Sequence, residues 1–325
     1  MRLTENLKRV YAEVCSNPIL RERVPSTDIE LVHIYKQQVR VLYESAGRPL
    51  TERLERMVTT VYEPHQAMWG TLSLPDESSF RDGCERLMKE VAQPDHPGLR
   101  MALQCDFVSH FAEISQGSER LLGFRPQCIW HLVFAPHSDM GGDRVNMWAN
   151  LSHLGQADDP IQSFKFLLPH EFSHIVLLRF WEGKSPPRFT LLLLCIEEGL
   201  CSYFNYEYWN RAHSPAANLM YSNSEWDWCL ANERKILARM LPQFSVGDYQ
   251  QMEMYHMGNQ EPWPGAPKRL AYFVGFRICQ CYVEGNGSDS WKEVYSQAPE
   301  TTLRKSGYLE RFGLKADSLG YESES

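Results

Sequence analysis

Apolar and polar positions along the first 125 residues follow the period of a helix. Apolar side chains recur at roughly helical spacing from Ile29 to Tyr43, after a Ser26-Thr27-Asp28 segment that is typical of a helix start. The same spacing predicts three further helices in this region. They cover residues 51–62, 78–91 and 99–114.

The pattern changes after Arg125-Pro126, where short β-branched and aromatic segments begin. Residues 128–135 have the sequence CIWHLVFA and predict a buried strand, and the alternation over residues 145–151 predicts a second one. The glycine pair Gly141-Gly142 between them predicts a turn. These segments favour an α+β fold that is mainly α-helical and contains a small antiparallel sheet.

The second half of the chain is again helical from Ile161 onward. Loops over residues 182–187 and 258–267 interrupt the helices, and residues 189–209 predict a second buried helix. The change of pattern near residue 125 predicts two domains, a helical region over 1–125 and a second domain over 126–325. A single continuous domain is the alternative.

Composition and net charge indicate which classes of partner the protein does not bind. The chain has 325 residues, of which 43% are hydrophobic and 23% are charged, as in a globular protein. Its 33 basic and 41 acidic side chains leave a net charge of −8, which gives no broad positive surface for nucleic acid or an anionic membrane. No apolar run approaches the length of a membrane span. We therefore expect no nucleic-acid and no membrane partner, while the oligomeric state stays open.

The N-terminus and the cysteines predict a cytoplasmic protein. The first 15 residues contain neither an apolar signal-peptide region nor a small-residue cleavage site. The nine cysteines are odd in number and form no C-x-x-C pair, a pattern that favours reduced thiols over a disulfide framework.

Residues 170–174 have the sequence His-Glu-Phe-Ser-His, which is the clearest chemical signal in the chain. His170 and His174 lie one turn apart on one face of a helix, and this spacing lets two imidazoles bind one zinc ion. Glu171 lies beside such a metal, where it can take a proton from a zinc-bound water. The alternative is an ordinary helix with two hydrogen-bonded histidines.

The surroundings of this motif favour a buried metal site. Apolar residues flank it on nearly all sides, and buried imidazole and carboxylate groups need partners, which a metal ion supplies. Pro169 predicts that the helix starts or kinks directly before His170. The next buried helix offers Glu197 and Glu198 as candidates for a third ligand, beside a glycine that lets another helix approach closely.

The order H-E-x-x-H, E-G-L and Y-x-x-G resembles the gluzincin metallopeptidases, and most closely an uncharacterised bacterial group of predicted zinc-dependent proteases. The resemblance covers residues 125–285 and implies a zincin-like catalytic domain, with the H-E-x-x-H helix packed on the glutamate helix. It implies that Glu198, directly before Gly199, is the third zinc ligand. It also implies that Tyr272 donates a hydrogen bond to the oxyanion. The G-x-M-E-N loop of the aminopeptidases is absent, so aminopeptidase activity is not implied.

These residues lead to the hypothesis of an enzyme, a zinc metallopeptidase with one Zn²⁺ per chain. In this mechanism Glu171 is the general base, zinc activates a water, and the substrate is a peptide or a small amide. One alternative is a zinc enzyme that hydrolyses or rearranges a dedicated small molecule. Another is a regulatory protein that keeps zinc without turnover.

Five residues are further candidates for substrate binding. Glu197 is a candidate for a substrate amine, and His256 is an alternative oxyanion donor. Asn146 and Asn150 lie on the second predicted strand, which is either an edge strand that pairs with a peptide or an ordinary packed ribbon. Arg269 is a candidate for a substrate carboxylate or, alternatively, a surface arginine.

Overall fold

A computed structural model of the protein describes residues 3–314, apart from 73, 75, 92, 94–95, 137–139, 144, 183–186 and 258–260. Parts of the two predicted loops over 182–187 and 258–267 therefore lie outside the described residues. The chain forms two compact units, Met1–Glu171 and Phe172–Ser325, and the division between them falls inside one helix. The domain boundary near residue 125 stays a prediction.

The first unit combines short helices with one small sheet. Its helices are α1 (Glu5–Ser16), α2 (Ile34–Glu44), α3 (Leu50–Met57), α4 (Gln66–Thr71), α5 (Glu77–Glu90), α6 (Pro97–Gln104), α7 (Phe107–Leu122) and α8 (Leu151–Leu154). A π-helical turn covers Val58–Tyr62 and a 3-10 turn covers Glu63–His65. The strands are β1 (Arg21–Arg23), β2 (Ile29–Val32), β3 (Cys128–Val133), β4 (Met140–Gly142) and β5 (Asn146–Asn150).

The five strands form a mixed sheet in the order β1-β2-β3-β5-β4. The central pairs β2–β3 and β3–β5 are parallel, and the outer pairs β1–β2 and β4–β5 are antiparallel. The α+β class and its mainly helical character are therefore confirmed, but the antiparallel sheet is wrong. Strands β2 and β3 are separated by six helices, and a long helical connection of this kind returns the chain in the same direction.

Two local predictions fail because distant pairing decides the backbone. The helix predicted to begin at Ser26-Thr27-Asp28 is instead strand β2, and the helix α2 starts only at Ile34. Leu31 pairs with Trp130 in β3, so a partner about 100 residues away fixes the extended conformation. The predicted turn at Gly141-Gly142 is part of β4, which pairs with β5.

The other predictions for this unit agree more closely with the structure. Residues 51–62 form α3 and the π-helical turn, residues 78–91 form α5, and both predicted strands are present as β3 and β5. The helix predicted over 99–114 is two helices, α6 and α7. The break lies at Asp106, whose side chain accepts a hydrogen bond from the Ser109 amide at 3.1 Å and so caps α7.

Two amide side chains continue the sheet pattern beyond the end of β3. The Gln38 amide nitrogen donates to the Phe134 carbonyl at 2.8 Å, and its oxygen accepts from the Phe134 N–H at 2.8 Å. Asn150 makes the same two bonds to Ala135, at 2.9 and 3.0 Å. Each side chain therefore takes the place of a neighbouring strand at a point where the backbone would be unpaired.

Helices dominate the rest of the chain. They are α9 (Pro160–Trp181), which contains the division between the units, α10 (Leu191–Tyr208), α11 (Pro215–Asn218), α12 (Asn223–Ala231), α13 (Glu233–Met240), α14 (Tyr249–Glu253), α15 (Leu270–Asn286) and α16 (Pro299–Ser306). Short 3-10 turns cover Leu241–Gln243, Ser290–Ser296 and Glu310–Phe312. The buried helices α10 and α15 pack along each other. Among the described helices, none combines the length and the apolar character that crossing a membrane requires.

Candidate metal centre

The two histidines of the H-E-x-x-H motif lie on α9. His170 and His174 are separated by one helical turn, and His170 is only 8% exposed. The helix does not start at Pro169, because α9 begins at Pro160 and contains Pro169 in its interior. The two imidazoles therefore lie on one face of an established helix rather than at its first turn.

The two adjacent glutamates lie in the middle of α10. The Thr190 side chain accepts a hydrogen bond from the Leu193 amide at 3.2 Å and caps the start of this helix. Glu197 and Glu198 are 5% and 6% exposed, inside a helix whose central turns are buried. Carboxylates buried to this degree need charged or hydrogen-bonding partners.

A glycine crossing fixes the position of α10 against α15. A Cβ added to Gly199 would lie 2.0 Å from the Gly275 carbonyl carbon, and a Cβ added to Gly275 would lie 1.6 Å from the Cys195 oxygen. The two backbones are therefore in direct contact, which side chains at these positions would prevent. The crossing brings the turn that carries Glu198 beside the α15 turn that carries Tyr272.

The three predicted ligands come together in the folded chain. One ligand atom from each of His170, His174 and Glu198 lies within 4.8 Å of the others. The His174 Nε2 atom is 3.6 Å from Glu198 Oε2. Two imidazoles and one carboxylate form a donor set that zinc accepts. The chemistry of the three side chains therefore fits the ion.

Glu197 lies behind His174 rather than in an open substrate site. Its Oε1 atom is 3.1 Å from His174 Nδ1. Because a carboxylate can only accept a hydrogen bond, this contact puts the imidazole proton on Nδ1 and leaves Nε2 as the atom available to a metal. Carboxylates behind metal-binding histidines commonly fix the ring in this way.

His256 and Tyr272 adjoin the other side of the glutamate pair. His256 Nε2 is 3.0 Å from Glu198 Oε1, and the Tyr272 hydroxyl is 3.3 Å from the same His256 nitrogen. The two rings are stacked, with centroids 5.6 Å apart and planes 9° apart. The structure thus brings both sequence-predicted residues to Glu198, with His256 between the tyrosine and the carboxylate.

The electrostatic surroundings of His174 favour a positive charge. Burial alone would lower the pKa of this imidazole, but Cys201 and Glu198 raise the pKa well above its usual value. The direction of this shift favours positive charge at the ring.

Cys201 and Ser173 are parts of the site that the sequence analysis misses. The Cys201 side chain contacts both His174 and Ser173, and burial raises the pKa of its thiol. The Ser173 hydroxyl in turn lies 2.6 Å from the Tyr295 hydroxyl. The signal in the sequence is spacing, since Cys201 follows Glu197 by four residues and so shares its helix face.

The other predicted catalytic and substrate residues lie in less specific positions. Glu171 is half-buried on α9, and among the described residues it has no hydrogen-bond or ion-pair partner. Arg269 is the N-cap of α15 with a left-handed backbone (φ +61°), and its carbonyl accepts a hydrogen bond from the Tyr221 hydroxyl at 2.9 Å. The surroundings of these two residues give no indication of a substrate.

Asn146 and Asn150 do not lie on an edge strand. Strand β5 has β3 on one side and β4 on the other, so its backbone is not available for a peptide to pair with. Asn150 is fully buried and bonds Ala135, while the Asn146 backbone N–H donates to Asp143 Oδ1 at 2.7 Å. The interpretation of this segment as an edge strand is therefore wrong, since β5 is an internal strand of the sheet.

Comparison with known protein families gives a match to the second half of the chain. The model of a protein family described as gliding motility protein GldB matches residues 166–310. The chain is similar to that family over this segment, which is less than half of its length. No curated protein and no solved structure matches the chain.

This match corrects four expectations from the sequence. The assignment to the gluzincins is wrong, because the family that matches is GldB and no metallopeptidase family matches. The zinc peptidase function and the enzyme class are wrong for the same reason. The cytoplasmic location is also wrong, since the matching family is one of cell-envelope lipoproteins. Three short motifs specify helix spacing and close helix packing, and these features are not limited to peptidases.

Proposed function

We propose that the chain is a GldB-like protein of the cell envelope that binds one divalent transition-metal ion, zinc in the first place, through His170, His174 and Glu198. The observation that carries this proposal is the convergence of three donors, two of them buried and His174 half-buried, with a carboxylate behind the His174 imidazole. Two nitrogen donors and one oxygen donor suit zinc better than magnesium or calcium. In this proposal the zincin-like arrangement, with the H-E-x-x-H helix packed on the glutamate helix, describes only the geometry of the metal site.

The role of the ion would be electrostatic and structural. When bound, it supplies a positive centre that two imidazoles and a carboxylate can share. Glu197 holds the ring of His174 and His256 holds one oxygen of Glu198, so this chain's own residues orient both ligands. A peptide or small amide partner stays a prediction on which no step of this proposal depends.

The similarity to GldB supports placing the site in an envelope protein. The matched segment, residues 166–310, contains all three proposed ligands together with His256 and Tyr272. The proposed centre therefore lies in the part of the chain that resembles a gliding motility protein. Fractionation of the cells that make the protein tests the location, with the envelope fraction as the expected result and the cytosol as the contrary one.

Metal analysis tests the centre itself. Purified protein is expected to contain one zinc per chain. Substitution of a residue that is hydrogen-bonded to a metal ligand typically weakens metal binding 10–100-fold. Glu198→Gln should weaken zinc binding by more than this, because it removes a ligand itself. Glu207→Gln on the same helix is the matched control, since Glu207 binds Arg211 at 2.7 Å instead. Protein without zinc, or equal zinc affinity in both variants, would contradict the proposal.

A metal-free polar cluster is the second candidate. The contacts of His174 with Glu197 at 3.1 Å and of His256 with Glu198 at 3.0 Å favour it, since they pair these groups without an ion. The two candidates differ in their response to a chelator. Removal of a bound ion should lower the temperature of thermal unfolding, and readdition of zinc should restore it. A metal-free cluster would leave that temperature unchanged.

A further inference from the structure

The first unit contains a cleft between α1 and α6 in which none of the sequence-predicted site residues lies. Its outer part has a volume of about 790 Å³ and is lined by Arg9 and Arg100, among others. An inner part of about 210 Å³ shares Glu13 with the outer part and is lined by Tyr35 and Lys36. The outer volume lies in the range of small-molecule sites.

Lys36 is a buried cation in the wall of the inner cavity. It is 6% exposed, and its Nζ atom donates to the carbonyls of Asn17 at 3.1 Å and Ile19 at 2.9 Å. No carboxylate of the described residues lies within salt-bridge distance of it, and burial lowers the pKa of its ammonium group. An ammonium has three donors, so these two carbonyls leave one donor without a partner. Glu22 and Glu13 act on its charge, but neither forms a salt bridge with it.

The backbone adds positive potential at the same place. Lys36 is the third residue of α2, in the first turn of the helix, where the helix dipole is positive and a cation is unfavourable. An anion bound in the inner cavity would interact favourably with both the helix end and the ammonium.

Tyr35 supplies a second polar group to the inner cavity. The side chain is 6% exposed, yet its hydroxyl has no hydrogen-bond partner anywhere in the described ranges. Ring contacts with Phe107 and Phe134, at centroid distances of 6.5 and 6.0 Å, hold the side chain in place. Because Tyr35 lines the cavity and no group of the described residues pairs with its hydroxyl, this hydroxyl is available to a ligand.

The charges around both parts of the cleft favour an anion. Arg9, Arg100 and Lys36 contribute three positive charges to the lining and Glu13 contributes one negative charge, which leaves an excess of two positive charges. This contrasts with the net charge of −8 for the whole chain.

We propose that the inner cavity binds the oxyanion group, a carboxylate or a phosphate, of a small polar molecule, with Lys36 and Tyr35 as its donors. The outer cleft holds the rest of the molecule between Arg9 and Arg100. None of the residues that line this site is a proposed metal ligand.

Calorimetric titration of the full chain with inorganic phosphate, and separately with acetate, tests the site at constant ionic strength. Either anion should bind with saturation, and the one that binds identifies the oxyanion. Lys36→Met should weaken binding at least tenfold, because it removes the charge while keeping the length of the side chain. Lys8→Met is the matched control, because Lys8 is an exposed lysine of α1 that pairs with Glu5, and it should bind like the parent protein.

Tyr35→Phe is the second variant, and it keeps the test decisive if Lys36→Met does not fold. It removes only the hydroxyl, so the fold should persist while anion affinity falls about tenfold, as expected for loss of a hydrogen bond to a charged group. Failure of the parent protein to bind either anion, or binding that Tyr35→Phe and a folded Lys36→Met leave unchanged, would overturn the proposal.

Discussion

At the scale of single residues, the neighbours Glu197 and Glu198 differ in what their carboxylates face. Glu198 lies among the candidate ligands, whereas Glu197 contacts the outer nitrogen of His174. A carboxylate placed like that of Glu197 does not bind the ion, but it fixes the imidazole ring of His174 that does. Its effect on metal affinity should therefore depend on whether its side chain can still accept a hydrogen bond.

This difference gives a testable prediction for Glu197. Glu197→Ala removes the acceptor behind His174 and should weaken zinc binding 10–100-fold, as is typical for residues behind a ligand. Glu197→Gln keeps an acceptor oxygen and should recover part of that loss. Competition with a chelator of known zinc affinity measures both variants. Unchanged affinity in Glu197→Ala would show that the contact at 3.1 Å does not position the ring.

A second residue-scale prediction concerns acid stability. Burial lowers the pKa of His65 and of His96 to about 4 in each case. The unfolded chain binds these protons near pH 6.5, so acid favours unfolding. The stabilisation is complete above pH 6.5 and is lost as the pH falls from 6.5 toward 4. For His96, which is 4% exposed, the loss is on the order of 3 kcal/mol.

His96→Asn separates this effect from the role of His96 as a helix cap. The His96 side chain accepts a hydrogen bond from the Leu99 amide, and asparagine can do the same without titrating. The variant should show a smaller fall in unfolding free energy between pH 6.5 and 4, as measured by denaturant titration. His153→Asn, at an exposed histidine, should keep the slope of the parent protein. Equal slopes in all three proteins would contradict this assignment.

The residue types of the proposed site were predictable from the sequence, but their contacts were only partly so. Spacing was enough to group His170 with His174, because an α-helix repeats its faces regularly. The placement of Glu197 as a substrate residue did not anticipate its contact with His174. Helix phase gives the direction of a Cβ atom, whereas the position of a glutamate carboxylate also depends on three side-chain torsion angles.

At the scale of elements, the crossing of α10 and α15 depends on two glycines. Gly275→Ala should destabilise the protein by about 3 kcal/mol, because its Cβ would lie 1.6 Å from the Cys195 oxygen and the helices would have to separate. Gly285→Ala is the control on the same helix, where no atom lies within 4 Å of the added carbon. It should be neutral or stabilise the helix by about 0.5–1 kcal/mol. Thermal and denaturant unfolding measure both, and similar stability in the two variants would rule out this view of the crossing.

Element predictions succeeded where the local pattern and the tertiary environment agree. The apolar pattern of α5, of β3 and of β5 fits only one type of element in each case, and the structure contains all three. The prediction of one helix over residues 29–43 failed at its start, because the apolar positions there fit a helix and a strand equally well. Pairing of β2 with a strand about 100 residues away then decided the matter, and no local window contains that information.

At the scale of the whole molecule, burial of the thiols explains why cysteine usage predicted the wrong compartment. None of the nine cysteines forms a disulfide bond, but only Cys15 is exposed, and Cys105 is partly exposed. Burial raises the pKa of Cys84 and of Cys105 to about 12, so these thiols stay protonated and unreactive. Thiols protected in this way persist without a reducing compartment, and their reduced state therefore does not identify the cytoplasm.

Thiol titration checks this account. In the native protein Ellman's reagent should react quickly with Cys15 and more slowly with Cys105, while the other seven thiols react only after unfolding. In denaturant all nine should react. A total below nine would reveal disulfide bonds, and rapid reaction of several thiols in the native protein would show that the core is open to the reagent.

The pair of amide side chains at the end of β3 has a consequence for how the protein ages in storage. Gln38 and Asn150 each present one donor and one acceptor to a backbone residue, so neither can lose its nitrogen without a mismatch. Deamidation of Asn150 would turn the atom that faces the Ala135 carbonyl from a donor into an acceptor. A buried polar atom left unsatisfied in this way costs about 1–3 kcal/mol. Slow chemical change at a single nitrogen would therefore weaken the sheet of an old sample.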